Sequence, residues 1–64
     1  MIHQLRFPVT LLNASVQWKT TMRIARQRLL KAEADGYVFH IALPGSRKLY
    51  SLTETGLHFV ALYL

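Results

Sequence analysis

Apolar and polar positions change period along the chain, and each change marks a boundary. Residues 1–7 alternate loosely, with Ile2, Leu5 and Phe7 apolar among His3, Gln4 and Arg6, which predicts a short strand or an irregular lead-in. Pro8 suits the first position of a helix, where its missing N–H costs nothing. The run PVTLLN therefore predicts a short helix over residues 8–13, with a break beginning at Asn13-Ala14-Ser15 and a turn over 14–18. From Lys19 the period becomes helical: Met22, Ala25, Leu29 and Ala32 recur at spacings of three, four and three, one apolar stripe. Thr20, Arg23, Gln27 and Lys31 form the opposite ridge, flanked by Lys19 and Ile24. Thr20 or Thr21 can cap the start of this helix, residues 19–35, and Gly36 can end it in a left-handed conformation.

After Gly36 the residues favour strands. YVFHIAL is rich in β-branched and aromatic side chains, Pro44-Gly45-Ser46 is a turn, and the next run alternates. Leu49 and Ser51 point one way while Lys48, Tyr50 and Leu52 point the other, giving a hairpin whose tip carries Arg47 and Lys48. Thr53 is a good N-cap for a last helix running from Glu54 to about Tyr63, with Glu54 placed where a negative charge is favourable. Trp18, Tyr37, Phe39 and Tyr50 are expected in the core, because buried aromatics remove large areas from water. The final LHFVALYL is apolar on nearly every side. One face is expected to pack on Leu29 and the strands, leaving Phe59, Leu62, Tyr63 and Leu64 as a homodimer contact.

Charge alters the picture by its distribution. The net charge is +5, and six of the eight basic residues precede Glu33, the first of three acids. Such a balance fits nucleic acid or an anionic surface. A membrane-surface role would need basic and apolar residues on one helix, but the last helix has no Lys or Arg. No apolar run approaches the roughly 18 residues of a spanning segment, and the first residues do not read as a signal peptide. A cytoplasmic location is therefore expected. With 64 residues and no cysteine, one domain over residues 1–64 is expected, without disulfides or thiolate metal sites. His3, His40 and His58 have no ligand-like spacing, and Glu33 and Asp35 read as solvated charges. No catalytic constellation, phosphate loop or metal cluster is legible, so no enzyme activity, metal or cofactor is expected.

Two stretches in this order resemble the end of a winged helix-turn-helix domain of MarR/PadR-like transcriptional regulators. LLKAEADGYV is similar to the L-x-x-L-E-x-x-G-x-V turn at the end of the recognition helix, through Leu29, Glu33, Gly36 and Val38, with Ala32 where a larger aliphatic is usual. YSLTETG is similar to the Y-x-L-T-x-x-G step out of the wing, through Tyr50, Leu52, Thr53 and Gly56. The resemblance spans residues 19–56 and implies an α+β fold: a small winged helix-turn-helix with a two-stranded wing and a C-terminal helix. The family's full preceding helix has no room in seven residues, so a shortened or missing first helix is expected, its place taken by the N-terminal segment or a second subunit.

On this reading the partner is double-stranded DNA, bound sequence-specifically by a dimeric transcriptional regulator. Arg23 and Gln27, helped by Thr20, would read base edges. Lys19, Arg26, Arg28 and Lys31 would meet phosphates, and Arg47 and Lys48 would reach the backbone or the adjacent minor groove. The small size and absence of a sensor domain suggest a regulator from a phage, plasmid or other mobile element. The alternative is the same fold used as an interaction module, an assembly or anti-regulator subunit working through its apolar C-terminus.

Overall fold

The computed structural model describes residues 1–63. A single 3-10 turn at Ile2–Gln4 leads into strand β1 (Val9–Thr10) and helix α1 (Leu11–Trp18). Helix α2 (Met22–Ala34), strands β2 (Val38–Leu43) and β3 (Arg47–Leu52), and helix α3 (Glu54–Ala61) follow. The result is a small α+β fold in which three helices accompany one antiparallel sheet of order β1-β3-β2.

The N-terminal third departs from the sequence reading. The expected helix over 8–13 and turn over 14–18 are replaced by β1 and α1. The helix starts late because Thr10 and Asn13 form a reciprocal cap: the Asn13 N–H donates to Thr10 Oγ1 at 3.2 Å, and the Thr10 N–H donates to Asn13 Oδ1 at 3.4 Å. That cap outweighs the preference of Pro8 for a helix start. Ahead of it, the 3-10 turn gives Ile2 and Leu5 to the core, where they are 6% and 7% exposed. The N-terminal segment thus supplies two side chains to the core.

Helix α2 begins at Met22, not Lys19. Thr21 caps it, its Oγ1 accepting from the Ile24 N–H at 3.2 Å. Lys19 instead closes α1 in the left-handed conformation, φ 55° and ψ 49°, with its N–H on Val16 O at 3.1 Å. The Thr20 N–H meets Ser15 O at 2.9 Å, and Thr20 sits half-buried in the turn. Two helices are therefore joined by three residues, 19–21. A side chain with a Cβ is strained in the left-handed region by roughly 1–2 kcal/mol. Lys19→Gly should relieve most of this and raise the thermal midpoint by about 4–8 °C per kcal/mol recovered, read by circular dichroism. Because glycine itself loses about 0.5–1 kcal/mol more backbone entropy on folding, only a clearly lowered midpoint would show the strain to be absent.

Ala25, Leu29 and Ala32 are buried as the stripe predicts, but Met22 is 47% exposed because it lies in the first turn of α2, beyond the core. Ala14 on α1 and Ala25 on α2 are both fully buried, and small residues there allow the two helices to approach closely. Leu29 and Val9 are the largest wholly enclosed side chains. Val38 and Tyr50 complete the core from the sheet. Phe39 was expected inside and is 43% exposed, since strand alternation sends it to the face opposite Val38.

The hairpin forms as expected, in unbroken register from Val38↔Leu52 to Leu43↔Arg47, with Gly45 at φ 78° in the turn. The expected two-stranded unit gains a third strand, because Val9 and Thr10 pair with Tyr50 and Leu49. Helix α3 ends at Ala61, short of Tyr63, and packs on β3 and the N-terminal turn. Thr53 caps it, Oγ1 accepting from the Gly56 N–H at 3.0 Å while donating to Gly36 O at 2.6 Å.

Candidate nucleic-acid interface

The inward side of α2 is fixed by Ala25, Leu29 and Ala32, so the opposite side is presented to solvent by the helical period alone. Arg23, Gln27 and Lys31 lie there, all exposed, as does Arg26 on one flank. Thr20 leaves this ridge because it belongs to the turn, and Lys19 stands in the same turn, exposed, just ahead of the helix. Arg28 is withdrawn from the outer face: its guanidinium stacks over the Trp18 ring, 5.3 Å from the centroid. Trp18 itself is half-buried at the edge of the core, donating from Nε1 to Met1 O at 2.9 Å.

A cleft of about 350 Å³ opens between the start of α1, the first turns of α2 and the hairpin tip. Arg26, Arg47 and Lys48 line it, and no carboxylate does. The hairpin turn brings the last two there: Arg47 opens β3, its Nε donating to Pro44 O at 3.4 Å, and Lys48 follows it. Tyr50 lines the same cleft. Burial pushes its hydroxyl pKa up, the negative charge of Glu33 adds to this, and Arg26 opposes it. A second cavity of about 340 Å³, mainly apolar, lies on the other flank of α2 between the N-terminal turn and α3, bordered by Gln27 and Lys31.

None of the three acids lines the cleft; Glu33 is more enclosed than its sequence position suggests, while Asp35 and Glu54 are exposed as expected of solvated charges. Glu33 is 29% exposed and meets His40 Nδ1 at 2.5 Å, tying α2 to β2. The His40 ring also tilts against Tyr50, with centroids 5.8 Å apart. Asp35 pairs with Lys31 at 3.2 Å. That pair is exposed, 78% and 45% for the two side chains, so it is weak and leaves the ammonium able to exchange partners. Among the described residues, Lys19, Arg23, Arg26, Arg28, Arg47 and Lys48 have no carboxylate partner.

The side chains expected at a dimer contact have separate fates. Phe59 is half-buried, its ring stacked on Tyr37 with centroids 4.6 Å apart. Tyr63 stacks on His3 at 3.8 Å, and Leu62 is 81% exposed. Leu64 lies outside the described residues. Among the described residues no group of His, Asp or Glu is placed to hold a metal ion, and no helix is long and apolar enough to cross a membrane.

The Glu33–His40 link and the withdrawal of Arg28 were missed in the sequence. Both depend on partners seven or more positions away on different elements, so no local period signals them. Sequence and structure comparisons give no further guide: no family model, curated protein or solved structure matches this chain.

Proposed function

We propose that this chain is a winged helix-turn-helix domain that binds double-stranded DNA sequence-specifically, as a dimeric transcriptional regulator. The observation that carries the reading is the acid-free cleft between α2 and the hairpin tip, lined by Arg26, Arg47 and Lys48, with Arg23 and Gln27 exposed on the outer side of the same helix. Support also comes from the three-residue turn joining α1 to α2, a spacing that suits a helix-turn-helix. In this docking α2 enters the major groove with Arg23 and Gln27 on base edges. A phosphate backbone lies along the cleft, held by Arg26 and the hairpin tip, while Lys19 and Lys31 meet phosphates at the two ends of the helix. Arg28 supports the interface by bracing Trp18 rather than by touching DNA. Two copies would present their α2 helices about 34 Å apart, one turn of DNA, and favour an inverted repeat.

The test is titration of a selected duplex and of random-sequence duplex at two salt concentrations. Arg23→Ala should cost roughly 1–3 kcal/mol on the selected site and relax specificity. Lys31→Ala should weaken both duplexes about equally and reduce the salt slope by about one phosphate contact. Binding that survives both substitutions unchanged would refute this docking.

A second reading, a protein-interaction module, draws on Leu12 and Val16, one turn apart on α1 and 58% and 67% exposed, and on the exposed Ile24 and Leu30 of α2. It predicts no salt-dependent affinity for DNA.

A further inference from the structure

Tyr50 is 3% exposed, its ring fixed in the core by pairing with Val9 on one side and by the His40 ring on the other. Its hydroxyl has no hydrogen-bond partner among the described residues. Nor is any side-chain oxygen or nitrogen there both sealed from solvent and unpaired, so the hydroxyl opens onto free space. That space is the cleft between α2 and the hairpin tip, which Tyr50 lines. Burial above all holds its pKa over the ordinary phenol value, so at neutral pH the hydroxyl keeps its proton and can donate. An unused donor on a side chain this enclosed is uncommon and calls for an acceptor from outside the chain.

We propose that the cleft is a phosphate site with Tyr50 as its floor: one phosphate group accepts from the Tyr50 hydroxyl while Arg26, Arg47 and Lys48 neutralise it from the rim. The donors come from three elements, α2, the hairpin tip and the face of the sheet. A tetrahedral phosphate offers oxygens in several directions, whereas a carboxylate offers two in one plane. The three cations face one cleft with no carboxylate among its lining residues, so a bound anion relieves their mutual repulsion. Glu33, whose charge acts on the same hydroxyl, is held by His40 and does not line the cleft. At about 350 Å³ the cleft has room for groups esterified to the phosphate, and the exposed Leu12 and Met22 give them an apolar wall. The site rests on the DNA-binding reading only for the source of its phosphate, a duplex backbone; a free phosphate ester presents the same chemistry.

The experiment titrates the full chain with inorganic phosphate at constant ionic strength, followed by NMR, and then with duplex DNA at two salt concentrations. Phosphate should shift the signals of Arg26, Arg47, Lys48 and Tyr50 saturably. Tyr50→Phe should weaken phosphate and duplex binding by about tenfold, the loss of one hydrogen bond to a charged acceptor. Its thermal midpoint should stay unchanged, since the hydroxyl bonds nothing within the fold. The salt slope on DNA should also stay unchanged, because a neutral group releases no counterion, whereas Lys48→Ala should lower that slope by about one. Phosphate bound in the cleft without affinity for DNA would support the site, place its ligand among free phosphate esters and refute the DNA reading instead. No saturable shift at the cleft, or a Tyr50→Phe variant that binds phosphate as the parent does, would overturn the proposal. The phosphate titration uses the unaltered protein, so it decides even if the variant fails to fold.

Discussion

Gly56→Ala should cost about 3 kcal/mol or more, the upper end of what overpacking does, and leave a large share of the molecules unfolded. A Cβ at position 56 would stand 1.9 Å from the Tyr37 carbonyl oxygen, 2.9 Å from its carbon and 3.1 Å from Leu52 Cδ2. The first two are backbone atoms and cannot swing aside. Moving α3 outward is also costly, because the same carbonyl accepts the Thr53 N–H at 3.0 Å and Thr53 caps the helix while bonding Gly36 O. Helix propensity alone would favour alanine here by about 1 kcal/mol, so the sign of the change tests the close approach directly. Urea unfolding followed by far-ultraviolet circular dichroism should show a sharply lowered midpoint. A midpoint equal to or above that of the parent would mean that α3 does not approach Tyr37 in this way.

Leu29→Ala should be of similar size. Leu29 is fully buried on the inward side of α2, with Ala25 and Ala32, each too small to refill the space, on the same stripe. Truncating such a leucine costs about 2–5 kcal/mol, the lost transfer energy plus the cavity left behind. A core of this size rarely provides more than about 3–5 kcal/mol in all, so the variant should be largely unfolded without a stabilising partner. Leu57→Ala is the control: that side chain is 56% exposed, and its loss should change stability by no more than about 0.5 kcal/mol. Equal midpoints for the two variants would show that Leu29 is not the centre of the core.

Both predictions concern positions that the sequence singles out for other reasons. Leu29 is legible because the apolar stripe of α2 repeats at helical spacing, a local property. Gly56 is legible as the last residue of YSLTETG, three after a capping threonine; the physical reason that it must be glycine lies with Tyr37, nineteen positions earlier.

The same division holds elsewhere. The end of α2 at Gly36, the turn at Pro44-Gly45-Ser46 and the start of α3 at Thr53 are written in the sequence, because caps and turns are settled by a few neighbouring residues. So are the exposed Arg23, Gln27 and Lys31, once Ala25, Leu29 and Ala32 are recognised as inward. Only the tertiary structure decides the rest. Whether Val9 and Thr10 form a strand depends on Tyr50 and Leu49 lying beside them, and Pro8 read by itself points to a helix. Lys19 accepts a left-handed conformation because α1 must close there before Thr21 can cap α2. Arg28 turns to Trp18, and Glu33 to His40, since each finds its partner only after the elements have packed. The cleft that joins Arg26 to Arg47 and Lys48 exists for the same reason: a period of 3.6 or 2 orients a side chain about its own axis, and packing alone sets what it faces.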